Sequence, residues 1–168
     1  MASIFLSIGS NIEPALHFQQ CAKTLKKKFN NPVWSPVYRS AAVGMDANDF
    51  LNAVVSATTD QSIESTIELL KNIELKHGRV RNANKFTSRT LDVDLLLYDD
   101  IVLNAANITL HRTEITTAAY VLKPLADLVP NKVHPVFNKT YKTLLDDLEH
   151  AQPESKTSLS LVKLNLEH

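Results

Sequence analysis

Cysteine occurs once in these 168 residues, at Cys21, which excludes an internal disulfide and agrees with a reducing cytosol. Glycine is nearly as scarce, and none of the spacing that lets a backbone loop cradle a triphosphate is present. Any polyphosphate held here must therefore be held by side chains. No apolar run approaches the ~18 residues of a membrane span, and the opening Met1 to Gly9 lacks the charged region and the apolar length of a signal peptide. Neither sign of charge is in excess: Lys plus Arg and Asp plus Glu number 18 each. Without a global basic field there is no signature of a nucleic-acid partner, and any anion site must be local. The expectation is a cytoplasmic monomer without nucleic-acid or membrane partners. A hydrophobic fraction of 44% suits an ordinary globule with a real core. Residues 1–165 read as a single domain and 166–168 as the start of a tag remnant.

What the chain does have is concentrated in residues 79–98, where Arg79, Arg81 and Arg89 precede Asp92 and Asp94 inside an apolar run. On a strand, positions i and i+2 share a face, so the two carboxylates stand side by side, roughly 7 Å apart at Cα. Leu91, Val93, Leu95 and Leu97 are then expected on the opposite face. Two carboxylates that close repel unless a cation sits between them. Mg2+ suits the position, because it takes one or two carboxylates and completes its shell with water and phosphate oxygens. The arginines supply positive forks for the remaining phosphate charge. Carboxylates for metal beside arginines for phosphate is the requirement of phosphoryl or pyrophosphoryl transfer. A plainer alternative is an edge strand with a solvated acidic face beside a basic loop.

The rest of the chain reads as an alternation of strands and helices. Ser3 to Ile8 is expected as a first strand, Gly9-Ser10-Asn11 as a turn with Asn11 capping a helix to about Lys28, and Val33 to Ala41 as a strand interrupted by Pro36. Phe50 to Thr59 is a third strand, and Asp60 or Ser62 caps a second helix that ends at Gly78. The strand with the two aspartates follows, then a hairpin at Asp99-Asp100 into Ile101 to Leu103. A helical or turn-rich stretch around 113–128, a helix near 140–149 and a last strand or loose tail at Leu159 to Leu164 complete it. The order is βαββαβ, the split βαβ unit of α+β ferredoxin-like folds, with an antiparallel sheet covered by helices on one face.

Other residues add to the arginine–aspartate block. Glu74 and His77 fall beside the apolar stripe of Ile63, Ile67 and Leu70, as in a site wall or a helix end leaving the core. Phe50 and Asn52 share a strand face, where an aromatic and an amide could stack on and hydrogen-bond a flat heterocycle, or could simply close the core. His111 and Arg112 follow an apolar stretch and could reach phosphate.

The stretch Glu74 to Arg81, the loop ending Ser88-Arg89-Thr90, and Leu91 to Tyr98 resemble the 6-hydroxymethyl-7,8-dihydropterin pyrophosphokinase family of folate biosynthesis. Matches at Gly9-Ser10-Asn11, Val37 to Ser40, Gly44, Phe50 to Ala53 and Tyr120 to Leu125 extend the resemblance over residues 3–130. It implies transfer of the terminal diphosphate of ATP to a pterin hydroxymethyl group with two Mg2+ ions. It also implies that Asp92 and Asp94 bind metal and that Arg79 and Arg89, with Arg81 close by, meet the phosphates. Glu74 and His111, with Arg112 beside it, become nucleotide-side residues. Asn52 and Asp92 fall to the pterin, with Phe50 and Tyr120 as the aromatics on its ring. The chain departs from the family in having Leu110 before His111 and Thr117 where an arginine is usual, and Phe86 at a position often tryptophan. Arg112 or Lys85 is the candidate to compensate. A paralogue that binds pterin and nucleotide with weakened turnover is the alternative reading.

Overall fold

The computed structural model describes residues 1–40, 49–78, 91–105 and 108–166. Strand β1 (Ala2–Ser10) leads into helix α1 (Pro14–Lys28), which buries Phe18, Cys21, Ala22 and Leu25 at helical spacing. The chain then forms β2 (Asn30–Trp34) and β3 (Val37–Ser40), and later β4 (Phe50–Thr59). Helix α2 (Ile63–Lys76) is capped by Ser62, whose hydroxyl accepts from the Ser65 N–H at 3.1 Å, and ends at Gly78 with φ 83°. Strand β5 (Asp92–Tyr98) precedes a small hairpin of β6 (Leu103–Ala105) and β7 (Ile108–Leu110). Helices α3 (Glu114–Thr117), α4 (Ala119–Leu128) and α5 (Tyr141–Ala151) follow, and β8 (Leu159–Val162) closes the main sheet.

The main sheet runs β5-β1-β4-β3-β8, with β2 also on β4, and every pairing is antiparallel. Helix α1 carries the chain from β1 across β4 to β2 and β3, and α2 carries it from β4 across β1 to β5. These are two interlocked βαβ crossovers with one strand inserted in each, the expected βαββαβ core.

Several local expectations are corrected. Helices cover both faces of the sheet rather than one: α1 and α2 pack on Ile4, Leu6, Val55 and Val93, while α3, α4 and α5 pack on Phe5, Val54, Leu96 and Leu97. Strands β1, β4 and β5 carry apolar residues on both parities, so neither face could be left to water. The register of β5 on β1 shifts between Phe5 and Leu6, which leaves Leu96 as an extra residue and turns Leu97 to the second face, away from Val93 and Leu95. Gly9 and Ser10 belong to β1 rather than to a turn, and Glu13, not Asn11, is the N-cap of α1; Asn11 is fully buried. The single strand expected at 33–41 breaks at Ser35-Pro36, where proline can give no ladder hydrogen bond. Asp99-Asp100 does turn, but β6 then pairs with β7 instead of returning along β5. The last strand is formed and pairs with β3.

Candidate active site

The site grows from one row of the sheet. On β1, Gly9 stands opposite Asp92 of β5 on one side and Asn52 of β4 on the other, and Asn52 stands opposite Tyr38 of β3. Adjacent strands lie about 4.8 Å apart, so Asp92 and Asn52 flank Gly9 at roughly 10 Å from each other's backbone. Gly9 leaves that gap open. A Cβ there would sit 3.4 Å from Asn52 Oδ1, so the floor between a carboxylate and an amide is bare backbone. Asn52 is buried and donates from Nδ2 to Ser40 Oγ at 2.7 Å, which fixes its plane. Phe50, two residues before it on the same face, is half-buried and belongs to neither hydrophobic cluster.

Helix α4 lies over this face and is pinned to it. The Tyr38 hydroxyl donates to Asp127, which Lys123 also meets at 3.2 Å. Burial, and then the Asp127 hydrogen bond and charge, push the Tyr38 phenol well above its ordinary range. Tyr120, in the first turn of α4, is 42% exposed. Burial raises its pKa first, followed by the charges of Glu114 and Asp94 and a smaller effect of Asp92, with Arg112 opposing. Its phenol therefore stands within electrostatic reach of both carboxylates.

Asp94 is in the next row, opposite Ser7 of β1. The Arg112 guanidinium approaches it, with Nη1 3.9 Å from Asp94 Oδ1, while Arg112 Nε lies 3.4 Å from Glu114 Oε2. Burial works against the guanidinium charge, but Asp94 and Glu114 outweigh it and its pKa rises. Between α2, β5 and β7 lies a pocket of about 140 Å³ whose polar lining is Lys71, Glu74, Asp94, Thr109 and Arg112. Glu74 is buried, as a wall residue would be.

His111 lies between two lining residues, Leu110 and Arg112, but is not itself in the pocket lining. Its ring packs on His134 with centroids 4.9 Å apart, and among the described residues neither of its nitrogens has a hydrogen-bond partner. Burial, then His134, push its pKa down to about 4, with Asp100 pulling weakly the other way, so the imidazole is neutral near pH 7. His77 caps α2 and meets His17 of α1, Nδ1 to Nδ1 at 2.6 Å. It belongs to a helix–helix contact. Thr117 turns its hydroxyl onto the Thr113 carbonyl at 3.1 Å. Arg79, Arg81, Arg89, Lys85, Phe86 and Gly44 lie outside the described residues. The structure thus brings Asp92, Asp94, Asn52, Phe50, Tyr120, Arg112 and Glu74 around one region of the sheet and its border.

The family described as 7,8-dihydro-6-hydroxymethylpterin-pyrophosphokinase (HPPK) matches residues 5–130. The chain belongs to this family. It is 33% identical over 147 residues to the 2-amino-4-hydroxy-6-hydroxymethyldihydropteridine pyrophosphokinase of Synechocystis, covering 86% of this chain and 75% of that protein. With the protein of the same name from Aquifex aeolicus it shares 28% identity over 144 residues, covering 84% of this chain and 89% of the other. Among solved structures it resembles a Plasmodium falciparum HPPK-DHPS triple mutant at a TM-score of 0.79 and 13% identity, a likeness of fold alone. That match covers 97% of this chain and 47% of the other, so the chain spans about half of that bifunctional one.

Two features of this candidate site have no clear signature in the sequence. Gly9 forms the floor between Asp92 and Asn52, and Tyr38 with Asp127 anchors the helix above it. A glycine ending an otherwise β-forming run was the available sign of the first, since such a glycine often marks close approach by a ligand. The chemistry of Asp92 and Asp94 is that of a site for a hard cation. Among the described residues no three His, Cys, Asp or Glu side chains gather around a common point. Two carboxylates on one strand face suit Mg2+, which keeps water and phosphate oxygens, better than they suit a closed zinc centre.

Proposed function

We propose that this chain transfers the diphosphate of ATP to the hydroxymethyl group of 6-hydroxymethyl-7,8-dihydropterin, a step of folate biosynthesis. The observation that carries the reading is the row Asp92, Gly9, Asn52 with Asp94 beside it. It sets a slot for a flat, hydrogen-bonding ring directly against a carboxylate pair. Asn52 reads the edge of the pterin with its amide, Phe50 and Tyr120 take its two faces, and Gly9 lets it approach the sheet. Glu74, Lys71 and Arg112 border the nucleotide side.

Asp92 and Asp94 would hold the two Mg2+ ions, which supply charge neutralisation along the polyphosphate and orient it. Arg79 and Arg89, assigned through the family resemblance, stabilise the charge that develops as AMP leaves; Arg81 lies near them in sequence. The pterin hydroxyl attacks the β-phosphorus in line, so positioning and electrostatics carry most of the rate. A coupled AMP-release assay tests the reading. AMP formation that depends on hydroxymethyldihydropterin supports it. Binding of both ligands without AMP formation would indicate the weakened paralogue instead, and binding of neither would overturn both.

A further inference from the structure

We infer that Arg112 is an exchangeable arm. It pairs with Asp94 while that carboxylate carries no cation and turns to the nucleotide phosphates once a cation takes Asp94, so metal and nucleotide binding are coupled through this side chain. The inference rests on the proposed role of Asp94 as a metal ligand.

Three observations support it. The guanidinium reaches Asp94 through its terminal Nη1 at 3.9 Å, whereas Nε is held by Glu114 at 3.4 Å. The guanidinium is a rigid planar fork that turns as one unit about its aliphatic stem, and Glu114, at the start of α3, is the positioning residue that keeps the head beside the pocket. Arg112 also lines the same pocket as Asp94, Glu74 and Lys71, so the movement required is within one side chain's reach. Finally, the pair is half exposed, with side-chain exposures of 35% and 45%. Ion pairs that open to water exchange readily. A cation on Asp94 repels the guanidinium, while a phosphate offers it a bidentate, charge-assisted partner.

The test is calorimetric titration of α,β-methylene-ATP, without pterin, in Mg2+ and in EDTA. The proteins are wild type, Arg112→Gln, Asp94→Asn and the double variant, with thermal melts confirming that each is folded. Arg112→Lys supplies a second, charge-retaining variant. Arg112→Gln is expected to lower affinity about five- to tenfold in Mg2+ and to change it less than twofold in EDTA. Arg112→Lys is expected to recover part of that loss. In EDTA, Asp94→Asn frees the arm and is expected to raise affinity about two- to fivefold, the range an exposed ion pair allows. That gain should vanish in the double variant.

An equal loss from Arg112→Gln with and without Mg2+ would overturn the inference, as would a gain from Asp94→Asn that persists without Arg112. Either result leaves the metal reading intact if Mg2+ still tightens wild-type binding through Asp94. Failure of Mg2+ to tighten wild-type binding at all would overturn that reading and the inference with it.

Discussion

Each side chain of the proposed pterin slot has a distinct task, and single substitutions separate them. Asp92→Ala and Asp94→Ala are expected to abolish turnover while leaving the fold intact, because both carboxylates are half-exposed and lie outside the two apolar clusters. Steady-state assay with circular dichroism checks this, and near wild-type activity in either variant would contradict the metal assignment. Asn52→Ala leaves ring donors or acceptors unpaired and is expected to weaken pterin binding by about 1–3 kcal/mol. Gly9→Ala should act in the same direction, because its methyl would enter the floor 3.4 Å from Asn52 Oδ1. In both variants the affinity for an ATP analogue measured without pterin should barely change; equal losses for both ligands would mean that these residues support the fold. The pairing of Asp92 with Asp94 and of Phe50 with Asn52 was legible because a strand's period of two is written into consecutive residues. From sequence Gly9 reads as part of a turn, since its place between Asp92 and Asn52 depends on two strand registers that bring together residues far apart in the chain.

At the scale of elements, helices with a clear apolar stripe and strands with dense β-branched or apolar residues stood where periodicity put them, including Phe50–Thr59 and Asp92–Tyr98. The sequence misled where a nonlocal partner decides the outcome. The register shift at β5 turns Leu97 to the second cluster, and β6 finds β7 rather than β5. The half-buried His111, packed on the buried His134, makes the connection between β7 and α3 sensitive to acid. His111, held near pKa 4 by burial and by His134, is neutral in the folded protein, while its ordinary value is 6.5. Between those values the unfolded chain binds a proton that the folded chain refuses. Stability is therefore full above about pH 6.5 and falls as pH drops toward 4. His134 and His77, both lowered chiefly by burial, add in the same direction. Thermal melts across this window should show Tm declining with acid, and His111→Phe should decline less steeply than wild type. Parallel declines would mean that the histidine stays solvated.

The whole molecule is a sheet with two apolar faces, and its chemistry gathers where one face runs out of apolar residues. Beyond Val54 on β4 and below Leu96 on β5, the second cluster gives way to Asn52, Asp94 and Asp92. Helix α4, tied to β3 through Tyr38 and Asp127, closes over that border and brings Tyr120 to it. Fold class and family were legible from the βαββαβ order and the arginine–aspartate block, whereas the second helical layer was not, because α3 to α5 reveal their apolar faces only when set against a sheet of matching parity. In the proposed reaction two phosphorus atoms move together from ATP to the pterin alcohol. Rapid quench with ATP labelled at the α- or the γ-phosphorus, followed by separation of products, tests it most directly. The α-label is expected only in AMP and the γ-label only in the pterin diphosphate, with both products formed in equal amounts and only when the pterin is present. Appearance of α-label in ADP alongside a singly phosphorylated pterin would contradict it.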